Sequence, residues 1–214
     1  MISIIMQGDD CFYLHGMKDL VSDVFKTLWN KNVVILRDLS EDNIRKADII
    51  ILNFLQGEVG TCVPELRFRQ KGVVIGMLEN GSHDMGRKTS CYRDIFYIPL
   101  SSSVTDIRSH IINIWTGYKV AQKKYSADCM GCRHKVMSRQ QTRIMAGLYR
   151  GKKTSEIARE LGISDKTVHA HKHLIMNYFN LKGSKDLFFF LQSLAIKDVT
   201  PNYFKECLDA QRLL

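Results

Sequence analysis

The chain has 214 residues, 45% hydrophobic and 25% charged, enough for one medium domain and one small one with separate cores. Only three prolines and no Ser- or Gln-rich tract argue against long disordered segments. The net charge of +9 is segregated: residues 1–116 hold 13 Lys/Arg against 14 Asp/Glu, residues 117–135 five against one, and residues 136–199 11 against five. A polyanionic partner is therefore expected on the second half alone.

The opening apolar run, residues 1–6, has no basic segment before it and ends at Asp9 and Asp10. It is too short for a signal peptide or a membrane span, so a cytoplasmic protein without membrane contact is expected. In that compartment the six cysteines, Cys11, Cys62, Cys91, Cys129, Cys132 and Cys207, are expected as thiols, not as a disulfide framework.

Residues 2–6, 33–36, 49–52, 73–78 and 95–98 read as strands, nearly continuous in apolar residues as strands covered on both faces are. Between the first two, Met17, Leu20, Val21, Val24, Phe25 and Leu28 recur at helical spacing, and after the fifth Val104, Ile107, Ile111 and Trp115 do the same. Alternation of this kind predicts a parallel α/β sheet with right-handed crossovers over residues 1–118. Residues 79–94, with two Gly and two Ser among few apolar residues, fit neither period and are expected as a loop or a broken helix.

Residues 119–135 read as a polar, basic linker. Cys129, Cys132 and His134 within it have the short spacing of zinc and redox sites. A tetrahedral zinc needs a fourth ligand and no second close pair exists, so these three are weak metal candidates and ordinary reduced cysteines are expected. No Ser/His/Asp set, Walker loop or HExxH motif occurs, so neither an enzyme nor a cofactor is expected.

From Met137 the pattern is helical. Ser138 with Gln141 makes a capping box, Ile144, Met145 and Leu148 supply a buried stripe, and Gly151 ends the helix. Thr154 is expected to cap a second helix reaching Leu161, with Ile157 and Ala158 inward. Gly162, Ile163 and Ser164 turn the chain into a third helix from Asp165 to about Phe179. Ser184 is expected to cap a fourth, from Lys185 to about Leu194, and residues 198–214 are left as a tail.

Two short helices joined by a tight turn containing Gly are the frame that lays a second helix in the DNA major groove. Ala158, Gly162, Ile163, Val168 and Ile175 supply its small, turning and inward positions. On the third helix Val168, Ile175 and Phe179 share one side, while Lys166, Ala170, His173 and Asn177 lie opposite with His169 beside them. Lys166 and Thr167, at the helix start, are expected on phosphate. His169, Ala170 and His173 are expected at base edges, and Lys172 on the backbone. His171, flanking the inner face, is expected as a packed, hydrogen-bonded histidine.

The run from Met137 to Leu187 (MSRQQTRIMAGLYRGKKTSEIARELGISDKTVHAHKHLIMNYFNLKGSKDL) resembles the helix-turn-helix of LuxR/FixJ/NarL-type regulators, most closely over SEIARELGISDKTVHAHKHLIM. The resemblance implies a four-helix DNA-binding domain, here residues 136–197, whose third helix reads DNA and whose last helix forms a dimer contact. It also implies backbone contacts from Lys166, Thr167, Ser184 and Lys185. The sequence departs from the usual pattern with Gln141 where Glu is common and with Tyr178 and Phe179 in place of Lys and Leu.

The first domain resembles, by arrangement more than by motif, the receiver domain of two-component response regulators. A receiver needs an acidic pair after strand one, an acceptor Asp ending strand three, a hydroxyl after strand four and a Lys before the proline that follows strand five. Asp9 and Asp10 stand at the first position, where they also suit a helix cap. Asn53 occupies the second, Leu78 and Glu79 the third, and Ile98 precedes Pro99 at the fourth. An amide is not a nucleophilic carboxylate, so a degenerate receiver that dimerises without a phosphoryl switch is expected. The whole chain then reads as a transcriptional regulator on double-stranded DNA, as a homodimer or a heterodimer with another response regulator. The alternative is an adaptor acting mainly through such a partner.

Overall fold

All five predicted strands form, and they pair in one wholly parallel sheet. The structure, a computed structural model, describes residues 1–8, 10–36, 38–79, 94–121, 135–197 and 202–210. Internal contacts divide the chain into two units, Met1–Phe54 with Cys62–Arg133, and Leu55–Thr61 with His134–Leu214.

In the first unit β1 (Ile2–Gln7), β2 (Val33–Leu36), β3 (Ile49–Phe54), β4 (Val73–Leu78) and β5 (Ile95–Pro99) take the order β2-β1-β3-β4-β5. The register sets Ile4 opposite Ile35 and Ile49, and Ile51 opposite Ile75. Successive side chains leave a strand on opposite faces, which is why runs buried on both sides show no polar alternation. Ile2, Ile4, Met6, Ile49, Ile51, Val73, Ile75 and Met77 pack with α1 (Cys11–Trp29) and α3 (Val104–Ala121), whose Phe25 and Trp115 rings meet edge-on at 5.2 Å. The alternate residues Ile5, Ile50, Leu52 and Val74 are buried as well. Ile44 of α2 (Glu41–Lys46) and Leu66 of a 3-10 helix (Pro64–Phe68) are also buried, and those two pieces pack on each other.

Strand–helix alternation lapses between β3 and β4, where two 3-10 pieces, Glu58–Gly60 and Pro64–Phe68, replace an α-helix. Gly57 there adopts φ +90° ahead of the first piece and Pro64 opens the second, holding Val63 out of the helical region, so the two cannot join into one longer helix. Residues 80–93 of the poorly patterned stretch lie outside the described residues.

The second unit contains α4 (Arg139–Tyr149), α5 (Thr154–Leu161), α6 (Asp165–Tyr178), α7 (Ser184–Ile196) and α8 (Tyr203–Ala210). Its core joins Ile144, Met145, Ile157, Ala158, Val168, Ile175, Phe179, Leu187, Phe190 and Leu191. The segment read from sequence as a tail supplies α8, whose Phe204 is 3% exposed within this core. Arg150 also donates to the Leu208 carbonyl.

Two expected caps are corrected. Thr154 is the first helical residue of α5, and Lys153 caps it, its N–H donating to Glu156 Oε2 at 2.9 Å. Ser184 likewise opens α7 behind Gly183, while the Lys182 N–H donates to Asp186 Oδ2 at 2.9 Å. In both places an acidic side chain in the first turn reaches back to a backbone N–H at the helix entry, the reciprocal half of a capping box, and among the described residues no hydroxyl accepts from the first-turn donors.

Candidate nucleic-acid interface

The surface at issue is the outer side of α6, and three local devices aim it. Gly147 lies where α4 approaches α5, and a Cβ there would stand 2.8 Å from Ile157 Cγ1. Gly162 ends α5 in the left-handed region at φ +64°, and the Ile163 N–H donates to the Ala158 carbonyl at 3.0 Å, closing the turn as a Schellman motif does. Ser164 then caps α6, its Oγ accepting from the Thr167 N–H at 3.1 Å. The Ser138 cap of α4 forms as a full box, with the Ser138 N–H on Gln141 Oε1 at 2.8 Å, so glutamine serves there as well as glutamate.

Burial of Val168, Ile175 and Phe179, none more than 3% exposed, sets the rotation of α6. Lys166, His169, Ala170, His173 and Asn177 are consequently exposed together on the other side, and Thr167 is half-buried with its Oγ1 2.9 Å from Ser164 Oγ. Lys172 is half-buried, and its Nζ donates to Ser184 Oγ at 2.9 Å, tying α6 to the start of α7. Lys185 is exposed, its ammonium 5.8 Å from the centre of the Phe189 ring. His171 is half-buried as expected, but its Nδ1 is buried with no hydrogen-bond partner among the described residues. The face offers cations, imidazole donors and a methyl group over three turns, the groups that phosphates and base edges bind.

Sequence reasoning missed Leu174, which is 56% exposed on the same helix. Its apolar character was visible, but its position between the two helical faces assigned it to neither. Cys129, Cys132 and His134 lie outside the described residues. Among the described residues no group of three His, Cys, Asp or Glu side chains is placed to hold a metal, and no helix is long and apolar enough to cross a membrane.

In the first unit Asp10 is the N-cap of α1, its Oδ1 accepting from the N–H groups of Phe12 at 2.9 Å and Tyr13 at 3.1 Å. Asp9 lies outside the described residues. Asn53, near the end of β3, keeps a buried Oδ1 with no hydrogen-bond partner among the described residues. Its Nδ2 would lie 2.5 Å from a Cβ at Gly8. One Asp10 oxygen is thus engaged in capping, and Asn53 supplies a neutral amide where a receiver carries a carboxylate.

Such a parallel sheet ahead of a helix-turn-helix defines the class: a receiver-like α/β unit joined to a DNA-binding unit. Residues 135–191 match the family model described as bacterial regulatory proteins, luxR family. That segment is a LuxR-family helix-turn-helix domain, and the chain is a DNA-binding regulator of transcription.

Among solved structures the chain is similar to RcsB from Salmonella enterica serovar Typhimurium bound to promoter P1flhDC in the presence of phosphomimetic BeF3-. That match has 18% identity over 90% of this chain and 98% of that one, with a TM-score of 0.53. Two RcsB dimers bound to two parallel DNAs match at 17% identity over 90% and 98%, with a TM-score of 0.53. The two-component response regulator RcsB–DNA complex gives 17%, the same coverage and 0.51. At these identities the likeness is one of fold. No curated protein matches the sequence.

Proposed function

We propose that the protein is a dimeric, sequence-specific transcription regulator of the cytoplasm that binds DNA without Asp phosphorylation. The observation that carries this reading is the exposed row Lys166, His169, Ala170, His173 and Asn177 on the recognition helix of a LuxR-family domain. His169, Ala170 and His173 read base edges, with Asn177 at the end of the row. Lys166, Thr167, Lys172 and Lys185 hold the phosphate backbone. The domains follow the same division of labour, with a receiver-like domain at 1–118, a basic linker at 119–135 and the DNA-binding domain at 136–197, to whose core α8 adds Phe204.

Dimerisation is supported by α7, where Phe188 and Phe189 remain 47% and 42% exposed while Leu187, Phe190 and Leu191 face the core. Adjacent exposed aromatics on one helix suit a contact between copies. The absence of a phosphoryl switch is supported by Asn53 at the acceptor position and by Ile98 where a lysine would stand.

The test is selection of genomic DNA fragments by the purified full-length protein alone, at near-physiological salt. Recovery of one inverted repeat is expected. Weak, salt-sensitive and sequence-blind binding would overturn self-sufficient action and favour an adaptor that pairs with another response regulator.

A further inference from the structure

α6 carries apolar residues on two sides. Val168, Ile175 and Phe179 belong to the core, but Ala170, Leu174 and Tyr178 form a second line that is exposed, Leu174 at 56% and Tyr178 at 47%. Residues four apart advance by only roughly 40° around a helix, so these three make one stripe. It runs beside the polar edge formed by Lys166, His169 and His173. An ordinary surface helix is polar opposite its buried face. At Tyr178 the stripe is partly covered, since the Lys135 ammonium sits 5.3 Å from the ring centre. Leu174 is the most exposed large apolar side chain of the helix.

On the DNA-binding reading above, the partner of this stripe is the floor of a major groove. The apolar group displayed there is the thymine C5-methyl, whereas cytosine presents an amino donor that an aliphatic side chain would strip of water without replacing its hydrogen bond. We propose that Leu174 is a specificity-determining residue that reads a thymine methyl, one helical turn beyond the base step met by Ala170. The histidines engage acceptors on the neighbouring step and strand, while Leu174 selects for the methyl and against cytosine.

The test uses duplexes selected from a random pool by the full-length protein. Each thymine in the selected site is replaced in turn by deoxyuridine, which removes the methyl and nothing else. For the unaltered protein two thymines per half-site, one facing Leu174 and one facing Ala170, are each expected to show roughly fourfold weaker binding on replacement, the size of one buried methyl. For Leu174→Ala the penalty at the first of these is expected to vanish, while the penalty at the second, belonging to Ala170, persists. Thermal unfolding of Leu174→Ala checks that the domain core, which Leu174 does not join, is unaltered. A flat uracil scan, a selected site without thymine, or a full set of penalties unchanged in Leu174→Ala overturns the proposal while leaving DNA reading intact. A pool that yields no sequence at all overturns both.

Discussion

Side chains one position apart on α6 have separable work, because each step turns the residue about 100° around the helix. His169 and His173 are exposed and one turn apart, so replacing either with alanine removes an imidazole donor from the outer face of α6. His169→Ala or His173→Ala is expected to flatten the affinity difference between the selected site and a scrambled one. Lys172 differs, since its ammonium bonds Ser184 and stands at the junction with α7. Lys172→Ala is expected to weaken all duplexes alike and to reduce the slope of log affinity against log salt by about 1. Fluorescence anisotropy across a salt series checks both, and uniform loss from the histidine changes would remove them as readers. In the first unit the isosteric change Asn53→Asp restores the acceptor atom type but not the cation. A carboxylate at a buried, unpartnered oxygen position is held above its ordinary pKa by desolvation. Its contribution is therefore destabilising once pH rises past the unfolded carboxylate value near 4. Chemical denaturation is expected to show a loss of roughly 1–3 kcal/mol at pH 7 that shrinks toward pH 4. Acetyl phosphate with Mg²⁺ is expected to add no phosphate to the variant.

Helices were legible from sequence to the degree that their burial was periodic, and strands to the degree that it was continuous. The strands stood out because both faces of β1, β3 and β4 are covered, and α1 and α3 because one long stripe of each meets the sheet. α2 was not legible, having six residues and one buried side chain, Ile44, too few for a period. α8 hides behind Pro201 with only Phe204, Cys207 and Leu208 turned inward, a spacing of three and four that a tail can show by chance. The outer face of α6 was legible because its rotation follows from Val168, Ile175 and Phe179, whereas the Lys172–Ser184 bond depends on how two helices meet. Phe204→Ala tests whether α8 belongs to the fold of its unit: a loss of about 3–5 kcal/mol in unfolding free energy is expected, the usual cost of emptying a core phenylalanine site. A change below about 1 kcal/mol, the scale of a surface site, would show α8 to be peripheral. Between α1 and α3, Arg108 bonds Asp23 and holds its carboxyl below the ordinary value, first through the hydrogen bond and then through its charge. A depressed folded pKa contributes stability above the unfolded value and loses it as pH falls through the folded one. The thermal midpoint of Asp23→Asn is therefore expected to fall slightly below that of the parent at pH 6–7 and to converge with it in acid, with the gap narrowing in high salt.

Across the whole molecule, charge separates the two units more sharply than composition does. Residues 1–116 carry one more acidic than basic residue, while residues 136–199 carry 11 basic against five acidic. Counterion release on DNA is therefore a property of the second unit, and the first adds little nonspecific affinity. If copies pair through α7, two recognition helices present themselves together, and their half-sites should repeat at about one turn of DNA, roughly 10 base pairs. Inserting about five base pairs between half-sites rotates one by half a turn, and affinity is expected to fall to that of a single half-site. On the proposed reading of the first unit as a receiver without a phosphoryl switch, this geometry is available without any phosphodonor. Titration of the inverted repeat with and without acetyl phosphate and Mg²⁺ is expected to give superimposable curves, with the same salt slope. Tighter binding after phosphodonor treatment would mean that an acidic group, not the Asn53 amide, accepts phosphate and that the first unit retains a switch. Equal curves combined with loss of binding on half-turn insertion would leave dimer geometry, not phosphorylation, as what sets occupancy of the site.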